Sequence, residues 1–369
     1  MKHFLIIFIL ISIGYSCKKE TISADRDLTN IAYDPKPVVI KKPNVIFADM
    51  IIPADNPITE DGVILGRRLF YDPILSKDST MGCFSCHKQE FAFTDGLAMS
   101  KGITGQLGKR SSMSLVDVGF FDNHLFWDGR SPNLEDQALR PVEDPIELHN
   151  EWGNLVEKLK KHPTYPDYFR KAFGIKNTSE ITKELAAKAI AQFERTIVST
   201  GNTKYDQFRN GNIDAFTDDE LDGFYLFFNA SPFLPDAQCG HCHSGALLSD
   251  NRYLNNGIDS VITLEDFKDK GYGAITGNIN DNGRFRVPTL RNVLLTAPYM
   301  HDGRFKTIDE VMNHYISGGH YATNVDPIMN QLRAQMKIST KQKNQVIAFL
   351  KTLTDTSLIN NPAFKNPFK

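Results

Sequence analysis

Two pentads hold the residues best suited to chemistry in this chain, Cys83-Phe84-Ser85-Cys86-His87 and Cys239-Gly240-His241-Cys242-His243. Two thiols one helical turn apart, followed at once by an imidazole, are what a c-type haem requires. The thiols add across the vinyl groups and the imidazole ligates the iron. With five cysteines and ten histidines in 369 residues, chance would give roughly 0.002 such pentads, so the pair is no accident of composition. Zinc ribbons also use paired C-x-x-C knuckles, but those lie about 15–20 residues apart, and these stand at 83–86 and 239–242. A thioredoxin-type redox pair gives no reason for the trailing His at both sites. Two covalently bound haem c groups are therefore expected, with His87 and His243 on the irons and His241 at the surface or in packing.

A haem that only carries electrons needs both axial positions filled. One that reduces peroxide needs an open face with an acid–base group above it. Downstream of His87 come Phe126-Trp127-Asp128-Gly129-Arg130, then Asp136-Gln137-Ala138, then Pro145-Ile146-Glu147-Leu148. Taken singly, a Glu or Gln is ordinarily a solvated surface group and a Trp a core residue. Here Gln137 follows Trp127 by ten residues and Glu147 follows Gln137 by ten. The second half adds Val287-Pro288-Thr289-Leu290-Arg291-Asn292 and Pro298-Tyr299-Met300-His301-Asp302-Gly303-Arg304.

On these segments the chain, from about residue 50 to 355, resembles the bacterial di-haem cytochrome c peroxidase family, which includes the MauG type. The resemblance implies that Glu147 is the distal acid–base group, that Gln137 orients peroxide or a pocket water, and that Trp127 relays electrons between the haems. It implies hydrogen peroxide as substrate, a small cytochrome c or similar electron donor, and commonly a homodimer. Many relatives carry a histidine shortly after the first pentad that caps the resting iron. The stretch Lys101 to Gly108 has none, and Ile103 stands in its place, so an open first haem is expected. At the sixth position of the second haem, where typical peroxidases place a methionine, Tyr315 stands, the mark of the MauG type. Met300, Met312, His301 and His314 compete with it, and a core aromatic is the remaining reading of Tyr315. Relatives also bind calcium through an Asn side chain and two carbonyls. Thr296 and Pro298 match the carbonyls, but Ser111 replaces the Asn. Three activities follow: an exported peroxidase, a MauG-like oxidant of a protein substrate, or a purely electron-transferring di-haem cytochrome.

The elements that position these groups read as helices. Glu184 to Val198 has apolar residues at three- and four-residue spacing, Thr217-x-x-Glu220 forms a capping box before Phe224 to Phe228, and Ser339-x-x-Gln342 caps Val346 to Leu353. Long Gly/Asn/Asp/Pro segments such as 271–286 suit loops around a cofactor. The expected fold is mainly α, with two cytochrome c-like domains over 46–205 (the peroxide-reducing haem) and 206–356 (the electron-transfer haem), long loops, few strands and a tail over 357–369.

At the N-terminus, Lys2 and His3 precede an apolar stretch from Phe4 to Ile13 and then Gly14-Tyr15-Ser16-Cys17. This predicts a signal peptide over 1–17 of the lipoprotein type, ending at a lipidated Cys17, with a plain secretory signal as the alternative. Either places the mature protein in the periplasm or outer cell envelope. Residues 18–45 read as a tether. A net charge of −2 with no basic stripe excludes a nucleic-acid partner. No run of 18 or more apolar residues marks a spanning helix, which leaves a lipid anchor as the membrane attachment.

Overall fold

A computed structural model describes residues 25–121, 124–335 and 338–369. The signal segment 1–17, with Cys17, lies outside them. In the first half, α1 (Glu60–Tyr71) begins where the Thr59 side chain accepts from the Gly62 amide, satisfying one otherwise orphan donor. Then follow α2 (Leu134–Glu143), capped by Asn133, α3 (Trp152–Lys161), α4 (Tyr165–Phe173) and α5 (Lys183–Arg195). The second half holds α6 (Lys204–Arg209), α7 (Asp218–Phe228), α8 (Gly273–Thr276), α9 (Ile308–Ser317), α10 (Pro327–Gln335) and α11 (Thr340–Lys351). Strand is confined, among the described residues, to β1 (Tyr253–Leu254) and β2 (Phe285–Arg286), antiparallel with Tyr253 opposite Arg286. The fold is mainly α with few strands, as expected.

The capping boxes at Thr217 and Ser339 are both present, and the periodic run from Glu184 folds as α5. The segment 271–286, expected as loop, contains α8 and ends in β2. Elements of four and two residues are too short to print a period on the sequence.

Each half uses one device to present its pentad. Where α1 crosses α5, a Cβ on Gly66 would sit 1.9 Å from the Ala189 carbonyl oxygen, so only glycine allows the approach. Where α7 crosses α11, a Cβ on Gly223 would sit 2.0 Å from the Gln345 carbonyl oxygen. The leading helix then hands the chain to the cysteines: α1 ends at Tyr71 before Cys83, and α7 ends at Phe228 before Cys239. Leu65, Leu69, Phe70 and Phe193 build the first core, and Leu226, Phe227, Val346 and Phe349 build the second.

A buried polar knot joins the halves. The Arg291 guanidinium, 2% exposed, donates to Asp206 at 2.6 Å and lies 3.8 Å from Asp117. The Asn44 amide donates to the same Asp206 at 2.5 Å. The tether expectation meets a different arrangement from residue 25 onward: Leu28 is buried in the first core, and Asp25 accepts from the Thr178 and Ser179 hydroxyls. The expected tail also folds back, with Leu358 and Phe364 buried in the first core and the Tyr71 hydroxyl donating to the Phe364 carbonyl at 2.6 Å. Short-range polarity made both segments look like linkers, whereas a few apolar anchors fix them.

Gly66→Ala or Gly223→Ala should lower stability by about 1–3 kcal/mol, the usual cost of overpacking. Gly153→Ala, in α3 with open space around it, should raise it by about 0.5–1 kcal/mol. Chemical denaturation followed by circular dichroism measures both signs.

Candidate haem-binding cavity

Both pentads fold alike. A single 3₁₀ turn over Cys83–Ser85 lets the His87 amide donate to the Cys83 carbonyl at 3.0 Å, and the turn over Cys239–His241 does the same for His243 and Cys239 at 3.0 Å. Each imidazole then donates from Nδ1 to a backbone carbonyl five or six residues on, His87 to Phe93 and His243 to Leu248, both at 2.9 Å. Fixing the proton on Nδ1 leaves Nε2 as a lone-pair donor. Burial holds both rings below the ordinary imidazole range, so they stay neutral, the form that binds iron. His241 is half-exposed, 3.4 Å from Asp236, on the surface as expected.

One cavity of about 730 Å³ runs between the halves and takes in Cys86, His87, Cys239, Cys242 and His243. Cys83 packs just behind, against the first core. The four cysteines are unpaired. Burial pushes the Cys86 and Cys242 thiols up to about 11 and Cys239 to about 12, with Cys83 higher still. Neutral, buried thiols are poor zinc ligands and poor redox nucleophiles. Among the described residues no three His, Cys, Asp or Glu side chains converge into a metal cage. A porphyrin brings four nitrogens of its own and asks the protein for one or two ligands, which is what this cavity offers. Two buried acceptors in the lining, Gln137 Oε1 and Gln238 Oε1, have no protein partner. Buried polar atoms are rarely left so, and the cavity therefore fits two haems with small polar ligands or water.

Glu147 and Gln137 line the same cavity as His87. α2 carries Gln137, and the turn after it presents Glu147, whose amide donates to the Asp144 carbonyl. Burial, with the Asp144 carboxylate adding to it and Arg130 opposing, pushes the Glu147 carboxyl up to about 7. Such a group can both take and give a proton near neutral pH. The histidine-free loop lies over this turn: the Ile103 amide donates to the Glu147 carbonyl at 3.0 Å, and a Cβ on Gly102 would overlap the Ile146 carbonyl.

Trp127 bridges the halves. Its indole Nε1 donates to the Ser111 carbonyl at 3.0 Å, and its own carbonyl accepts from the Arg286 amide at 2.9 Å. Ser111 in turn gives its amide to the His301 carbonyl at 2.8 Å and its hydroxyl to the Met300 carbonyl at 3.0 Å. Beside Trp127, the buried Asp128 is held by Arg110 at 2.5 Å and Arg130 at 3.1 Å, and Arg110 reaches Asp269 of the second half at 2.7 Å. Thr296 and Pro298 also line the cavity, but the Ser111 hydroxyl is already engaged.

On the second side, Tyr315 of α9 lines the cavity near Cys239 and Cys242, and burial pushes its phenol up to about 12. Its hydroxyl oxygen accepts from the Asn256 amide at 3.3 Å, and the same amide lies 3.6 Å from Met300 Sδ. Sequence reasoning missed Asn256, which sits in Leu254-Asn255-Asn256-Gly257, a run that reads only as a turn. It also missed Ser112, whose hydroxyl donates to the Cys86 carbonyl at 2.6 Å, and Gln238.

Comparison with known proteins shows the family and the fold. The profile of the di-haem cytochrome c peroxidase family matches residues 60–214. The cytochrome c551 peroxidase of Nitrosomonas europaea is 32% identical over 320 residues, covering 86% of this chain and 85% of that protein. The methylamine utilization protein MauG of Methylorubrum extorquens is 31% identical, covering 82% and 80%. Among solved structures, a MauG-like protein associated with microbial copper homeostasis superposes with a TM-score of 0.77 at 33% identity, covering 88% of this chain and 98% of that one. The diheme peroxidase BthA of Burkholderia thailandensis shares the fold with a TM-score of 0.66 at 21% identity, covering 92% and 96%.

The electrostatics of the Glu147 pocket can be read directly by infrared titration of the carboxyl band. Its midpoint should lie near pH 7. Arg130→Gln should move it higher, by removing the opposing positive charge, and Asp144→Asn should move it lower.

Proposed function

The chain belongs to the di-haem cytochrome c peroxidase family, and from that premise we propose an exported enzyme that reduces hydrogen peroxide to water with electrons from a small cytochrome c or similar donor. As a family member it is an oxidoreductase with two haem c groups. The observation that carries the peroxidase reading is a buried carboxyl near neutrality, Glu147, lining one cavity with an unpartnered Gln137 Oε1 and with His87.

Cys83 and Cys86 would hold the first haem and Cys239 and Cys242 the second, with His87 and His243 on the irons. When bound, the haems supply the redox-active metal at which the O–O bond is split and the store from which two electrons come. The remaining work falls to side chains. Glu147 takes a proton from one oxygen of hydrogen peroxide and returns it to the other, so that water leaves in place of hydroxide. Gln137 Oε1 accepts a hydrogen bond from peroxide or water and fixes its orientation. With two electrons and two protons, one peroxide gives two waters. Trp127, tied to both halves, provides the aromatic path between the two haem sites.

Tyr315 is proposed as the sixth ligand of the second iron, supported by its place beside the second cysteine pair. His314 is engaged through Nε2 with the Asn256 carbonyl, and His301 stacks on Phe285 at 3.6 Å. An oxygen donor there favours oxidised iron, which also suits the MauG-type reading, oxidation of a protein substrate from a distance. A purely electron-carrying role leaves Glu147, Gln137 and the histidine-free loop unused. A calcium ion between the halves would take the carbonyls of Thr296 and Pro298. Export through the 1–17 segment and anchoring at Cys17 complete the proposal, consistent with haem attachment outside the cytoplasm.

Glu147→Gln should cut peroxide turnover by about 10²–10⁴-fold with both haems still attached by pyridine haemochrome assay. Because Glu147 must start ionised to accept a proton, the native rate should rise as pH rises through about 7 and then level off, and the variant should lose that step. The resting ferric protein should show a high-spin resonance from the first haem; a wholly low-spin spectrum would count against the open face.

A further inference from the structure

We propose that Asn256 selects the sixth ligand of the second iron, favouring Tyr315 and keeping Met300 in reserve through one side-chain amide. The inference rests on the reading of Tyr315 as that ligand. The other donors near the second pentad are already committed. His314 Nε2 is bonded to the Asn256 carbonyl at 3.0 Å, the His301 ring lies parallel to Phe285 at 3.6 Å, and the thioethers of Met312 and Met329 are packed into apolar clusters. Tyr315 Oη and Met300 Sδ remain, and Asn256 Nδ2 stands at 3.3 Å from one and 3.6 Å from the other. All three residues line the cavity with Cys242 and His243.

The two acceptors are unequal. A hydrogen bond to an ionised oxygen is roughly twice as strong as one between neutral groups, whereas a thioether sulfur is a weak acceptor. An N–H donor aimed at this point therefore stabilises an anionic oxygen ligand and does little for a thioether.

The backbone that carries the amide is also held in place. The Asn255 side chain accepts from the Gly257 amide at 2.9 Å and donates to Asn324 at 2.8 Å, and the Gly257 carbonyl accepts from the His320 amide at 2.7 Å. A fixed donor gives discrimination that a mobile one would not, because the acceptor must come to it. Met300 is as tightly placed by its backbone. It sits at φ 74, a left-handed conformation unusual for a large side chain, with its carbonyl taken by the Ser111 hydroxyl and the Gly303 amide. Its unbranched side chain keeps three rotatable bonds and can change partner while the backbone stays.

The test uses the full-length protein with both haems attached and reads the second haem by absorption, electron paramagnetic resonance and redox titration. Asn256→Leu should lose the features of the oxygen-ligated ferric haem and gain the far-red thioether–iron band, and its midpoint potential should shift upward. Adding Met300→Leu to that variant should abolish the new band. If Asn256→Leu fails to load two haems, Asn256→Ala, which adds no bulk to the cavity wall, is read in the same way. An unchanged second-haem spectrum and potential in the Asn256 variant, with Tyr315→Phe clearly altered, would overturn the selector and leave the tyrosine ligand standing. Loss of the oxygen-ligated features without a thioether band would overturn the role of Met300. A Tyr315→Phe protein spectrally identical to the native one would remove the underlying reading itself.

Discussion

Each cavity-facing imidazole is held by a 2.9 Å hydrogen bond to a backbone carbonyl, with the Ser112 hydroxyl a further contact 3.3 Å from His87 Nδ1, and the usefulness of the cavity depends on the carbonyl bond. The acceptors, Phe93 and Leu248, both lie in the left-handed region, with φ of 62 and 52. Large side chains there cost of order 1–3 kcal/mol. Both side chains are fully buried, and burial of a Phe or Leu is worth about 1.5–3 kcal/mol, enough to hold the turn in its strained form. The core thus sets the chemistry: it keeps the carbonyl pointing at Nδ1, the proton on Nδ1, and Nε2 free to bind a metal. The same arrangement occurs at both pentads, with different residues supplying the acceptor.

Burial alone does not decide the charge of a carboxyl in this molecule; the donors around it do. Burial works against the charge on Asp206, but hydrogen bonds from Arg291, Thr203 and Asn44 outweigh it and hold the carboxyl below its ordinary range. At Glu147 the more distant Arg130 is the opposing charge, burial wins, and the group rises to about 7. Glu194, buried close to Cys83 with an unpartnered Oε2, follows the same logic to about 8. At the junction Asp206 thus keeps its charge beside Arg291 while burial wins at Asp117 and raises it, and near the cysteine pairs Glu147 and Glu194 stay able to exchange protons near neutral pH.

Covalent chemistry and helix ends were the legible part of the sequence. The pentads, the capping boxes at Thr217 and Ser339 and the amphipathic run of α5 each depend on residues within a few positions of one another, so their signal is local. The resemblance added Glu147, Gln137, Trp127 and Tyr315, and the fold brings all four to one cavity. What stayed hidden is non-local. Gly66 matters because of Ala189, Arg291 because of Asp206 and Asn44, and Asn256 because of residues 44 and 59 positions away in sequence. The segments 25–45 and 357–369, read as part of a tether and as a tail, gave no such signal because isolated buried residues such as Leu28, Leu358 and Phe364 leave no period behind.

The two halves share a scaffold and differ in what reaches the far side of each haem site. In the first, α2 presents an unpartnered amide oxygen and the turn after it, under a histidine-free loop, presents a carboxyl. In the second, α9 presents a phenol, the 254–257 turn an amide N–H and the segment around Met300 a thioether. Between them Ser111 spans the gap, holding the Trp127 indole with its carbonyl and the Met300 carbonyl with its hydroxyl. That geometry constrains any change of ligand at the second iron. Moving the Met300 backbone would break the Ser111 contact and disturb the indole proposed as the path between the halves. Rotation of the thioether about its own side-chain bonds disturbs neither, so a ligand exchange confined to side chains is the only kind that leaves the relay intact.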